Sequence, residues 1–486
     1  VNITHGAPGR SPKGARPVTR NTARARLDPS RLVALRALRA VAEQDAYANL
    51  MLPRLLREAE LTGRDAGFAT ELTYGTLRGR ATYDAVLAAC SARPIGEIDP
   101  PLLDALRLGA HQLLAMRVPA HAGVAATVDL VRAEIGQGAA GFANAVLRRV
   151  AEADLEAWLA RVTPRGASED ARLALRHSHP EWIVRALRDA LRHHGRDVAE
   201  LADLLAADNA APQVTLAALP GLADPATLGP SAGPLSPYAV TVTGAPGDLP
   251  AVRRGRARVQ DAGSQAVTLA LADVPLDGQD GADQGRWLDL CAGPGGKSAL
   301  LGALLLQRRR AGGLPVGAHL VATEITEHRA HLVRAGVAGV VDSAAAAGEP
   351  EVVAVHTADG RHLDDAGLRP AEGYDRVLVD APCTGLGALR RRPEARWRRT
   401  PSDLAALAPL QRDLLRAALD VVRPGGVVGY VTCSPHPAET TMVVADVLRA
   451  RDDVVRIGPD RQLWPHLDGC DAMYLALLRR VPSSRP

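Results

Sequence analysis

Two hydrophobic periods divide the chain. From Ser30 to about Val162 apolar residues recur at helical spacing: Leu32, Leu35, Leu38 and Val41 mark one face, and Val124, Val128, Val131 and Ile135 mark another. Pro100 and Pro101 stand where a helix can start, and Gly136 and Gly138 where one can stop. The pattern predicts an all-α bundle. In the C-terminal half, short apolar runs alternate with helical stretches. Strands are predicted at 287–290, 319–323, 352–356, 376–379 and 427–432, and helices at 298–310, 327–335 and 401–422. That rhythm predicts an α/β unit with a doubly wound, mostly parallel sheet. A late strand at 473–480 suits an antiparallel pairing.

The middle of the chain follows neither period. Helices are expected from 179 and over 198–207, short strands at 213–219 and 239–242, and a Pro/Gly-rich loop at 221–237. Arg253, Arg254, Arg256 and Arg258 form a local basic cluster. The expected organisation is a disordered basic arm (1–26), an all-α domain (27–163), a small α/β connector (164–270) and a catalytic α/β domain (271–486) that opens on a polar loop at 271–285. The arm holds Lys13, five arginines and no acid, which suits contact with phosphates or a solubilising tail.

Composition alters this picture in few places. An apolar fraction of 47% in 486 residues supplies packed cores. No apolar run reaches the roughly 18 residues of a spanning helix, so no membrane partner and a cytoplasmic location are expected. Five cysteines, an odd number, imply reduced thiols and no disulfide framework. The net charge of +4 is modest. Of 58 basic residues only Lys13 and Lys297 are lysine. A compact ammonium kept where almost everything else is arginine points to work that a guanidinium cannot do.

Lys297 closes the turn Cys291-Ala292-Gly293-Pro294-Gly295-Gly296-Lys297, between a strand and a helix. Such a turn brings backbone amides and a helix N-terminus to a nucleotide-like ligand. It is neither the dinucleotide fingerprint GxGxxG nor the phosphate loop GxxxxGK[ST], so a nucleoside without a polyphosphate fits better, S-adenosyl-L-methionine among them. In an open α/β sheet ligands sit beyond the carboxyl ends of the strands. Glu324 ends the second strand, placed to take a ribose diol. Asp359 follows the third, able to hold an adenine amino group. Asp380-Ala381-Pro382-Cys383 ends the fourth and Thr432-Cys433-Ser434 the fifth. Three of the five cysteines therefore share one sheet edge. A metal held by Cys383, Cys433 and His436 matches no zinc spacing, so no metal is expected.

CAGPGGK, DAPCTGLG (380–387), RRRPEARW (390–397), LQRDLL (410–415) and TCS (432–434) resemble the Sun-type RNA cytosine C5 methyltransferases. ELTYGTLRGR (71–80) and GFANAVLRRV (141–150) resemble segments of NusB-type RNA-binding domains. Together they match the ribosomal small-subunit members of the family, which carry such a domain ahead of a Rossmann-like catalytic sheet. The resemblance implies Cys433 as the nucleophile that adds to C6 of the base and Cys383 as the residue that helps to release the product. Asp380 would bond the base edge, and Lys297 would contact the base or favour the thiolate. The 291–297 turn, Glu324, Asp359 and Asp380 would hold S-adenosyl-L-methionine. Arg390, Arg391, Arg392, Arg396 and Trp397 would face RNA, the arginines on phosphates and the ring on an unpaired base. Gly293 stands where the family usually has alanine, a departure expected to be neutral. The implied substrate is small-subunit ribosomal RNA and the expected state a monomer. Transfer RNA as substrate, or a non-catalytic RNA-binding protein on a decayed fold, are the alternatives.

Overall fold

The computed structural model describes residues 27–44, 46–277 and 282–481; the expected basic arm lies outside them. Helices Pro29–Glu43, Ala48–Glu58, Gly63–Arg78, Arg80–Cys90, Pro100–Leu114, Ala120–Glu134 and Gln137–Val150 form the N-terminal bundle. Its core holds Leu35, Leu38 and Val41 from one predicted face and Val124, Val128 and Val131 from the other. Pro100 opens a helix, as the sequence suggests. Gly136, at φ 141°, alone makes the break between two helices; Gly138 lies inside the second of them instead of at a stop.

Helices Leu155–Val162, Glu169–His177, Glu181–His193 and Leu201–Asn209 lead to a three-stranded antiparallel sheet in the order β2-β1-β3: β1 (Val214–Ala218), β2 (Ala239–Val242) and β3 (Ala257–Val259). The connector helices do not have a core to themselves. Ile183, Leu187, Leu191 and Leu205 pack with Leu386, Leu389 and Trp464 of the catalytic part. The expected boundary at 270/271 also falls inside a helix, Ala262–Asp273. Asp261 caps it through Gly263 N (3.0 Å). Ala266, Val267 and Leu271 fasten it to the largest core. The polar loop is therefore shorter than expected at its start.

The main sheet has eight strands: β4 (Arg286–Asp289), β5 (His319–Glu324), β6 (Val353–Thr357), β7 (Tyr374–Asp380), β8 (Val422–Thr432), β9 (Val454–Arg456), β10 (Arg461–Gln462) and β11 (Tyr474–Arg480). The order is β10-β11-β8-β7-β4-β5-β6, with β9 pairing β11. β4 to β8 run parallel, and β11 joins β8 antiparallel, as its position in the sequence suggests. The chain moves outward from β4 to β6 on one side, then crosses to β7 and β8 on the other. This places the switch point, where ligands bind in such sheets, between β4 and β7. One face of the sheet is covered by helices Ala262–Asp273, Gly296–Arg310 and Glu327–Ala346. The other is covered by Pro401–Val421 and Thr441–Leu448. Among the described residues no helix is long and apolar enough to cross a membrane.

Helix Glu327–Ala346 runs well past its predicted end at 335. Gly336 and Gly339 are not stops but places of close approach. A Cβ on Gly336 would lie 3.2 Å from Pro294 O, and one on Gly339 2.2 Å from Gly255 O. The helix thereby supports both the 291–297 turn and the connector loop before β3.

Candidate active site

Asp289, the last residue of β4, is wholly buried and accepts from Ser298 Oγ at 2.6 Å, which ties the strand to the helix beyond the turn. Burial pushes its carboxyl up to about 7. Ala292 N donates to Thr323 O (2.9 Å), and Gly295 adopts φ 95° against Val333, where a Cβ would come within 3.0 Å of Val333 Cα. Glycine is required there on both counts. Gly293 N donates to Glu324 Oε2 (3.2 Å), while Glu324 Oε1 accepts from Ile325 N (3.0 Å) and Arg329 pairs with the same carboxylate (3.2 Å). An alanine Cβ at 293 would sit 2.4 Å from Glu324 Oε2 and 2.7 Å from Arg329 Nη2. The glycine thus lets a buried acid close onto the turn, and the departure from alanine has a structural consequence.

Asp359 follows β6 and is bridged by Arg361 (2.6 Å), whose hydrogen bonds hold its carboxyl below the usual range. At the end of β7, Asp380 Oδ2 takes the Lys297 ammonium at 2.7 Å. Burial works against that ammonium, but the charge and hydrogen bond of Asp380 outweigh it and raise its pKa. The turn's one cation is thus neutralised within the protein instead of being offered to a phosphate. With two acids at strand ends, that donor set fits S-adenosyl-methionine.

Cys383 and Cys433 meet across the ends of β7 and β8, sulfur to sulfur at 3.4 Å. Their loops are stitched by Gly387 N donating to Cys433 O (2.9 Å) and Ala472 N to Gly387 O (2.8 Å). The hydrogen bond from Cys383 lowers the Cys433 pKa against burial and Asp380, helped by the charges of Arg392 and Lys297. The same bond and burial raise Cys383. Of the two sulfurs, Cys433 is therefore the one favoured to give up its proton and Cys383 the one favoured to keep it. Cys291, the third cysteine of this edge, is pushed well up by burial and stays a thiol.

The profile of the 16S rRNA methyltransferase RsmB/F family matches residues 276–479, and that of the NusB family matches 28–152. A Mycobacterium tuberculosis (strain H37Rv) relative, named only as a methyltransferase, is 49% identical over 96% of this chain and 99% of its own length. The chain belongs to the RsmB/F methyltransferase family. A ribosomal RNA small subunit methyltransferase B from Pseudomonas putida (strain KT2440) is 31% identical, covering 94% of this chain and 99% of its own. The crystal structure of PH0851 shares the fold, with a TM-score of 0.74 at 18% identity over 93% of this chain and 99% of that one. RsmB/F enzymes are S-adenosyl-methionine-dependent RNA cytosine C5 methyltransferases. The helical NusB region followed by a Rossmann-like methyltransferase sheet agrees with the fold class read from the sequence.

Within this RsmB/F chain the basic segment 390–399 is used differently from the RNA-facing row expected. Arg396 is wholly buried and donates to Arg78 O (3.3 Å), Ser178 O (3.2 Å), Asn209 Oδ1 (2.7 Å) and Asp208 O (2.8 Å). A guanidinium so enclosed does not reach a phosphate. Arg390 bridges Asp261 (2.7 Å) and Asp471 (3.1 Å), with only 11% of its side chain exposed. Arg391 pairs with Asp471. Trp397 is half-buried, with Arg80 of the bundle 5.5 Å over its ring. Arg392 is exposed, beside Tyr47 and close enough to Cys433 to lower its pKa. Two residues of the site carried no sequence signal. Asp289 read as the tail of an apolar strand, and Glu439, which bonds Thr384, lies beyond Cys433 in an unremarkable Pro-Ala-Glu.

Proposed function

We propose that this protein methylates C5 of a cytosine in small-subunit (16S) ribosomal RNA through a covalent Cys433–C6 adduct. The observation that carries this reading is the Cys383–Cys433 pair at the joined ends of β7 and β8, with Lys297 and Asp380 beside it. The ribosomal substrate is supported by the NusB region and by the Pseudomonas putida relative, whose name is that of a ribosomal small-subunit enzyme and which matches along nearly the whole chain.

The turn at 291–297 would hold the methionine side of S-adenosyl-methionine, Glu324 the ribose diol and Asp359 the adenine amino group. When bound, this cofactor supplies an electrophilic methyl group on a sulfonium centre. Cys433 adds as thiolate to C6, forming S–C6 and turning C5, otherwise a poor nucleophile, into an enamine carbon. Asp380, oriented by Lys297, bonds the N3/N4 edge and stabilises the activated ring. After methylation the C5–H bond breaks and its proton passes to water. The electron pair re-forms C5=C6 and the S–C6 pair returns to Cys433. The neighbouring Cys383 thiol donates a hydrogen bond to the departing sulfur. The base must be unpaired or flipped to reach these groups.

Cys433→Ala is expected to abolish methyl transfer, and Cys383→Ala to build up a denaturation-resistant protein–RNA adduct. Residual turnover in the first variant would remove Cys433 as nucleophile. Bisulfite mapping of RNA from cells with and without this gene should show one cytosine lost from the small-subunit pattern; a loss confined to transfer RNA would overturn the ribosomal assignment.

A further inference from the structure

Both peptide neighbours of Cys383 are tied to a buried pair, Gln411 and Glu439. Gln411, inside helix Pro401–Val421, donates from Nε2 to Pro382 O (2.8 Å) and to Glu439 Oε1 (3.2 Å). Glu439 accepts from Thr384 N (2.7 Å) and Thr384 Oγ1 (2.5 Å). Glu439 and Gln411 are wholly buried. The three donors named here are neutral, and a buried carboxylate held by such donors is a costly group to keep in an interior. Its own backbone is fixed as well: Tyr430 Oη donates to Glu439 O (2.9 Å) and Glu439 N to His436 O (2.9 Å).

The two cysteines depend on this cluster unequally. Cys433 directly follows β8, whose final residue Thr432 pairs with Tyr474 of β11, and Cys433 O is held by Gly387 N. Cys383 has no such ladder. It lies in the loop Pro382-Cys383-Thr384-Gly385, where Gly385 turns the chain at φ 76°. Its neighbours are held by side chains, Pro382 O by Gln411, Thr384 N and Oγ1 by Glu439, and Thr384 O by Arg399. The charge of Glu439 also helps to keep the Cys383 thiol protonated.

We propose that Glu439 is a positioning residue for product release: with Gln411 it fixes the Cys383 loop so that the thiol stays a hydrogen-bond donor to Cys433. This rests on the reading of Cys383 given above. Without the Glu439 carboxylate the nucleophile keeps its seat on the sheet while the Cys383 loop loses the hold on Thr384 N and Thr384 Oγ1, so release suffers before attack does.

The test compares Glu439→Gln, Thr384→Val, Thr384→Ser and Cys383→Ala in the full-length enzyme with S-adenosyl-methionine and ribosomal RNA. Glu439→Gln should lower kcat by about ten-fold or more with KM for RNA within about two-fold, a loss confined to a step after binding. Denaturing gels should show the protein–RNA adduct accumulating, as in Cys383→Ala. Thr384→Val should accumulate adduct too, and Thr384→Ser, which keeps both donors, should clear it faster. Normal turnover in Glu439→Gln overturns the proposal. So does a parallel fall in adduct formation and turnover with a lowered Tm, the mark of a merely structural group. An adduct in Cys383→Ala but in neither Glu439→Gln nor Thr384→Val removes Glu439 alone. No adduct in Cys383→Ala removes the reading of Cys383 and this proposal with it.

Discussion

At the scale of single residues the site turns on which sulfur holds the proton. Cys433 is lowered from the ordinary 9.0 of a thiol chiefly by the bond from Cys383. A lowered thiol pKa means more thiolate at any pH below or near it, so alkylation of Cys433 by iodoacetamide should inflect below pH 9.0 in the native enzyme. Cys383→Ala removes the donor and should move the inflection to higher pH. Its adduct then still forms, more slowly at neutral pH, because removing Cys383 slows attack only through the thiolate fraction. An inflection that stays put would mean that Arg392 and Lys297 activate Cys433 without Cys383. Lys297 stands out in a chain so poor in lysine by its place at the turn, and its ammonium lies on Asp380. Asp289 and Glu439 were not legible. Glu439 matters through Thr384, 55 residues away, whereas the partner of Asp289, Ser298, is only nine residues on; nothing in their immediate sequence distinguishes the two acids from a strand end and a loop acid.

At the scale of elements, β4, β5, β7 and β8 were readable because central parallel strands, covered on both faces, carry continuous apolar runs. β3, β9 and β10 were missed because they are two or three residues long; β3 and β9 each include an arginine, and β10 is only Arg461-Gln462. Helix Glu327–Ala346 was cut short in the sequence reading because glycine marks helix ends more often than close packing. The backbone approach at Gly339 yields a measurable consequence. A Cβ there would meet Gly255 O at 2.2 Å, Gly255 C at 2.5 Å and Arg254 O at 2.8 Å, all of them backbone atoms that cannot swing aside. Gly339→Ala should therefore destabilise by about 1–3 kcal/mol, the usual cost of overpacking. Gly67, in helix Gly63–Arg78, has no atom within 4 Å of its Cβ position. Gly67→Ala should be stabilising by up to about 1 kcal/mol from helix propensity. Urea midpoints moving in opposite directions would support the assignment; equal shifts would refute it.

At the scale of the whole molecule, the arginine run after the Cys383 loop joins all three parts of the chain. Arg396 reaches the bundle at Arg78 O and the connector helices at Ser178, Asp208 and Asn209, and Glu394 Oε1 accepts from Ala48 N (3.2 Å). Arg399 Nε donates back to Thr384 O (3.1 Å), beside Cys383. Reading such a run as a solvent-facing RNA grip follows from charge alone; that its carbonyl partners come from segments hundreds of residues away is a tertiary fact. Burial pulls Arg396 down to about 10 and pushes Asp208 up to about 7, so the junction already carries desolvation cost and depends on its hydrogen bonds. Arg396→Met leaves three carbonyls and the Asn209 amide oxygen without this donor. It should cost about 3–5 kcal/mol, the scale of breaking a buried charged network from one side. Because the lost bonds span bundle, connector and catalytic sheet, calorimetry should show the N-terminal helices melting ahead of the rest. Arg392→Met, at an exposed position, should stay within about 0.5 kcal/mol of the native stability. Its RNA affinity should fall and show a shallower salt dependence if Arg392 meets a phosphate. Equal Tm losses in the two variants would mean that Arg396 is no joint between the parts; an unchanged salt slope would remove Arg392 from the RNA path.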